Sequence, residues 1–181
     1  HEAGASRCTT DGLRLRPLSV DELFHYGQAN TDAAPITTVQ PSGPTTCLSS
    51  QSPFIAAKAA NMPALLARQE ITAPNGLFVM LPQQHLLFYA PADPNNISAQ
   101  LHSLVDFVRF PIIDAQTNNP HRTLSRDIFY YSPDGTLDAI TRADDPDVQE
   151  LLSNPHISST NYHVSVQKYL SPAFEQRFFS H

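Results

Sequence analysis

Leu77-Phe78-Val79-Met80-Leu81, then Pro82-Gln83-Gln84, then His85-Leu86-Leu87-Phe88-Tyr89 is the stretch that decides the fold. Two apolar runs of strand length flank a short polar break, bounded upstream by Asn75-Gly76 and downstream by Pro91 and Pro94. That is the pattern of two adjacent strands. A strand with one wet face alternates apolar and polar residues. These two are apolar throughout, so they belong at the centre of a sheet with both faces covered.

Working outward, residues after Asn95-Asn96 predict a helix capped by Ser98, with Leu101, Leu104, Val105 and Val108 on one face and Gln100, Ser103 and Asp106 on the other; Pro111 ends it. Asp127 to Tyr131, the turn Ser132-Pro133-Asp134-Gly135, and Thr136 to Thr141 predict a hairpin. A short helix opens at Asp145-Pro146, Tyr162 to Val166 alternates as a further strand, and Ser171-Pro172 starts a terminal helix carrying Phe174, Phe178 and Phe179. Upstream, Ser52-Pro53 begins a helix through Phe54, Ile55, Ala57 and Ala59, which Pro63 breaks; a second runs from Pro63 to about Gln69. Before that, Ser19-x-x-Glu22 ahead of Leu23 and Phe24 is a capping box for one short helix, closed by Gly27. The Thr-, Pro-, Ser- and Gln-rich stretch 29–52 reads as an arm laid over the body or a mobile segment. Adjacent strand pairs interleaved irregularly with helices predict an α+β fold, an antiparallel or mixed sheet of about five strands with helices packed against it. One domain spans 1–181, with 1–52 a coil-rich N-terminal arm and 53–181 the core.

Composition narrows the function classes. The chain has 181 residues, 17 acidic against 11 basic side chains and a net charge of -6. An acidic chain with dispersed Arg and only Lys58 and Lys168 is not built to neutralise phosphates, so no nucleic-acid partner is expected. No apolar run approaches the roughly 20 residues that span a bilayer, so no membrane insertion is expected. The two cysteines, Cys8 and Cys47, both lie in the irregular N-terminal quarter. A disulfide between them would require an oxidising compartment, and with it a periplasmic or secreted protein. The start, His1-Glu2-Ala3, has no leader-like pattern, which fits a mature or a trimmed chain whose signal was already removed.

For chemistry, Cys47 stands shortly before a predicted helix, His85 opens a strand and Asp93 follows that strand. Cys47, His85 and Asp93 therefore offer nucleophile, base and orienting carboxylate for a hydrolase or secreted toxin. The order is similar to papain-like and transglutaminase-like hydrolases, but the segment around Cys47 lacks their local signatures, and a disulfide to Cys8 would remove the thiol altogether. The eight histidines, His1, His25, His85, His102, His121, His156, His163 and His181, show no ligand spacing. His1 alone suggests copper, through amine and ring in the manner of histidine-brace oxygenases, and nothing else supports it. Asp144, Asp145, Asp147 and Glu150 lack calcium-loop spacing and fit the first turn of a helix. Phosphate-binding and nucleophile-elbow motifs are missing from the sequence. No cofactor and no metal is expected.

The adjacent pairs Tyr130, Tyr131 and Phe178, Phe179 present aromatics on more than one face, as interface anchors do. The leading expectation is thus an exported, non-enzymatic protein that binds and blocks another protein, of the immunity or inhibitor type. The Cys47-dependent hydrolase or toxin stands second, and an extracytoplasmic sensor or accessory domain third.

Overall fold

The computed structural model describes residues 19–105, 107, 124–125, 127–141, 170 and 172–179. Its centre is a six-stranded antiparallel sheet of β1 (Thr38–Ser42), β2 (Thr45–Ser49), β3 (Leu77–Gln83), β4 (Leu86–Pro91), β5 (Ile128–Tyr131) and β6 (Leu137–Ala139), in spatial order β1-β2-β4-β3-β5-β6. The helices are α1 (Val20–Ala33), a 3-10 turn (Ala56–Asn61) running into α2 (Met62–Arg68), α3 over residues 97–105, and α4 (Pro172–Phe179). The protein is α+β, and the sheet is antiparallel at every pairing.

The two apolar runs form β3 and β4, the middle pair of the sheet. Val79 faces Tyr89 and Met80 faces Phe88, with a register shift between Met80 and Gln83 where Pro82, lacking an N–H, would leave a gap in the ladder. Alternate side chains go to opposite faces, and each face carries its own core. On one face Cys47, Phe78, Met80, Phe88 and Tyr130 pack under Leu101, Leu104 and Val105 of α3 and Phe174 of α4. On the other, Leu48, Leu77, Val79 and Leu87 pack under Ile55, Ala59, Met62 and Leu65. Burying each large apolar side chain stabilises by about 1.5–3 kcal/mol, so the two layers are what hold the sheet.

Several expectations need correction. The stretch 29–52 is not a coil-rich arm: Ala29 to Ala33 belong to α1, and Thr38 to Ser49 form the β1–β2 hairpin, which docks on β4 through Cys47 opposite Phe88. Its sequence looks irregular because β1 is a solvent-exposed edge strand, where polar residues and Pro41 are tolerated. Four of the about five expected strands lie among the described residues, and with β1 and β2 these make six there; the strand expected at Tyr162 to Val166 and the helix expected after Asp145 lie outside the described residues. Gly27 does not end α1. The helix continues to Ala33, with Gln28 Nε2 donating to Asp32 Oδ1 at 2.8 Å across one turn. The helix expected from Pro53 begins as a 3-10 turn at Ala56, and α3 begins at residue 97, which places Ser98 inside its first turn and not at its cap.

Candidate functional site

Cys47 is central on β2, buried at 5 % exposure and, among the described residues, a free thiol. Burial pushes its pKa up, which keeps it protonated at neutral pH and disfavours the nucleophilic thiolate. Its expected disulfide partner, Cys8, lies outside the described residues. His85 sits in the β3–β4 turn, with Nδ1 3.3 Å from the Ser52 carbonyl oxygen and Nε2 3.3 Å from Gln84 Nε2. Asp93 follows the far end of β4 and accepts from the Asn95 backbone N–H at 3.0 Å, an ordinary turn bond. His85 and Asp93 thus flank β4 at opposite ends. Eight residues at roughly 3.3 Å per residue separate them by more than 20 Å, far beyond hydrogen-bond reach. The structure does not bring Cys47, His85 and Asp93 together.

The aromatic pairs sit on the sheet and on α4. Tyr130 is buried, its hydroxyl donating to the Asn75 carbonyl at 2.7 Å, and its ring lies against Phe78, Phe174 and Phe178. Tyr131 points to the opposite face and packs, half-buried, on the second core. The two tyrosines do take opposite faces, but both faces are covered by described residues, so neither stands out as an anchor. Phe178 is half-buried against the first core, and Phe179 is 38 % exposed.

No group of three or more His, Cys, Asp or Glu side chains is arranged to hold a metal ion among the described residues. His1, His121, His156, His163 and His181 lie outside them, as do Asp144, Asp145, Asp147 and Glu150. No helix of the described residues is long and apolar enough to cross a membrane.

Among the described residues, exposed large apolar side chains gather on α1. Val20, Leu23, Phe24 and Gly27 recur at the i, i+3, i+4, i+7 spacing of one helix stripe. That spacing ordinarily marks a core face, yet no residue of α1 is buried: Phe24 is 74 % exposed, Val20 65 % and Leu23 56 %. Beside the stripe runs an open groove of about 420 Å³, walled by these residues and by Ala57 and Ala60 of the 3-10 turn. Phe54, half exposed at 51 %, precedes that turn. The stripe is legible in the sequence, but its exposure is not, because the same pattern serves burial and recognition.

Among the described residues, the side chains that reach the C-terminal turn of α1 from the body are polar. Lys58 Nζ donates to the carbonyl oxygens of Thr31 at 2.7 Å and Asp32 at 3.0 Å. Arg68 donates to the Asp32 carbonyl, and Asn61 Nδ2 donates to the Asp32 carboxylate at 2.7 Å. The last carbonyls of a helix have no partner within it, and cations are favourable at that end. With no basic residue in its own last turn, α1 takes its cations from the 3-10 turn and α2. Lys58 is nearly inaccessible; burial, and after it the neighbouring Arg68, lowers its pKa, against the opposing pull of Asp32.

Compared with protein-family models, curated proteins and solved structures, the chain matches none of them.

Proposed function

We propose that this protein works by binding another protein, with the α1 stripe and the groove beside it as the docking surface. The observation that supports this reading is a helix whose whole apolar stripe faces water although its spacing is that of a buried one. Contiguous exposed apolar groups of this size are characteristic of interaction surfaces, and aromatic side chains such as Phe24 are typical anchors. The occupant that fits is a basic amphipathic helix of the partner. Gly27, Ala57 and Ala60 line the groove with small residues that let a helix approach closely. The negative side chains of Asp21 and Glu22 stand in the first turn of α1, on a chain of net charge -6, so Lys and Arg flanking an apolar face would be attracted and oriented. The narrower immunity or inhibitor form, in which the bound partner is a toxin or hydrolase held inactive, rests on the same acidic charge.

The test uses a synthetic amphipathic helix with Leu on one face and Lys and Arg on its flanks, beside a scrambled peptide of equal composition. Amide chemical-shift changes confined to α1 and residues 54–60, lost with the scrambled peptide and in Phe24→Asp, are the expected result. Absence of binding, or equal binding of the scrambled peptide or by the variant, overturns the proposal.

A further inference from the structure

We infer that the cavity between the last turn of α1 and α2 binds a small organic anion, a carboxylate with a short aliphatic tail, received by the Arg68 guanidinium and favoured by the buried charge of Lys58. It is a second site. None of its lining residues belongs to the docking groove, so the two are tested apart.

The cavity measures about 270 Å³ and is lined by Asp32, Ala33, Lys58, Ala64, Leu65 and Arg68. Residues one 3-10 turn apart eclipse one another, which puts Lys58 and Asn61 on one side, and Ala64 and Arg68 share a face of α2. Lys58, Asn61 and Arg68 thereby all reach Asp32. Capping accounts for one of the two cations. Lys58 Nζ already serves both terminal carbonyls of α1, Thr31 at 2.7 Å and Asp32 at 3.0 Å. Arg68 Nη1 donates to the same Asp32 oxygen, so it caps nothing further and sets a second positive charge beside one shared atom. The carboxylate in the wall is bonded elsewhere: Asp32 Oδ1 accepts from Gln28 Nε2 at 2.8 Å and Oδ2 from Asn61 Nδ2 at 2.7 Å, both neutral amides. Two cations against one carboxylate and the roughly half negative charge of a helix C-terminus leave the cavity net positive. The repulsion registers on Lys58, whose pKa is lowered by burial and then by Arg68, and an entering anion relieves it. On Arg68, exposed on α2, Nη2 and Nε have no acceptor among the described residues. That edge of a guanidinium is the fork that matches the two oxygens of a carboxylate. Ala33, Ala64 and Leu65 give the tail an apolar wall, and the volume lies below the roughly 300 Å³ at which pockets for drug-sized ligands begin, so the tail is short.

Hexanoate is the probe, with hexanamide as its uncharged counterpart and inorganic phosphate as an anion without a tail. On the isotope-labelled whole protein, hexanoate should shift the amides of Asp32, Ala33, Lys58 and residues 64–68 with a dissociation constant on the order of 1 mM, as its few atoms allow. Hexanamide and phosphate should each bind at least about tenfold more weakly. Arg68→Gln, at an exposed position, should weaken hexanoate at least about tenfold. Should that variant not fold, Ala33→Leu, also at an exposed position, fills the cavity and should abolish binding. Phosphate binding as tightly as hexanoate marks a bare anion site and overturns the inference. So do shifts centred on residues 20–28, unaltered affinity in the folded variant, and hexanoate producing no shift at all.

Discussion

Tyr130 closes over Gly76 so tightly that a Cβ added at Gly76 would lie 2.4 Å from the Tyr130 hydroxyl oxygen. Gly76 has φ +91, a conformation that favours glycine, and the same tyrosine donates to the carbonyl of neighbouring Asn75. Gly76→Ala therefore meets a backbone penalty and a clash together. It should destabilise by roughly 2–4 kcal/mol, whereas Tyr130→Phe, which loses one hydrogen bond and leaves the Asn75 carbonyl short of a donor, should cost about 1–2 kcal/mol. Urea midpoints at constant m-value measure both. A Gly76→Ala protein as stable as the wild type would contradict this packing.

Phe24 and Phe174 are chemically the same residue in opposite roles. Phe174 is 2 % exposed and lies against Phe78, Tyr130 and Phe178. Phe174→Ala should cost about 3–5 kcal/mol through the cavity it leaves, while Phe24→Ala should change stability by no more than about 0.5 kcal/mol. Thermal unfolding of the two variants side by side is the check.

Alkaline pH should unfold the protein in a defined order of causes. Burial raises the Cys47 thiol above its ordinary 9.0 and Tyr130 above 10.0, the latter against the opposing Arg177 guanidinium. The folded state keeps protons that the unfolded chain releases. Their contribution is therefore complete below about pH 9 and is lost as the pH rises through the folded values. Lys58 acts in the opposite sense. Its folded value is depressed below 10.5, so its contribution is lost as pH falls through that lowered value and regained as pH rises towards 10.5. In urea titrations from neutral pH upward, Cys47→Ala should flatten the alkaline loss and Lys58→Met should steepen it. Native Cys47 should also react with a thiol reagent only as fast as the protein opens.

Ser19→Ala removes half of the capping box, worth about 1 kcal/mol to the helix it starts. Because α1 is latched by polar contacts and contributes no buried side chain, this loss should appear as roughly fivefold faster amide exchange within α1, with the urea midpoint of the body unchanged. A matching drop in global stability would tie the helix to the core.

The sequence displayed some of this architecture openly. β3 and β4 were readable because unbroken apolar runs in strands have one explanation, burial on both faces, and they are the middle strands. The hairpin turn at Ser132 to Thr136 was readable from its residues, with Gly135 at φ +95. The β1–β2 hairpin was not, because β1 buries nothing and β2 shows just Cys47 and Leu48 as large apolar signals. The true end of α1 was hidden for another reason: its stabilising cation, Lys58, stands 27 residues from the Thr31 carbonyl it caps. The docking stripe was visible as a pattern, but the fact that nothing among the described residues buries it is a property of the fold. His85 and Asp93 looked like neighbours because eight positions are short in sequence; a strand turns those positions into distance.

The two cores on β3 and β4 place an unusual demand on strand pairing. In a sheet with one wet face, sliding a strand by one residue exposes its apolar set and is rejected at once. Here such a slip would trade Phe78 and Met80 for Leu77 and Val79, exchanging one greasy layer for another. Alignment of the central pair must be enforced elsewhere, by the bulge between Met80 and Gln83 and by the volume of the rings around Tyr130, which fit one layer and not the other. Shape, more than water, keeps these strands in step.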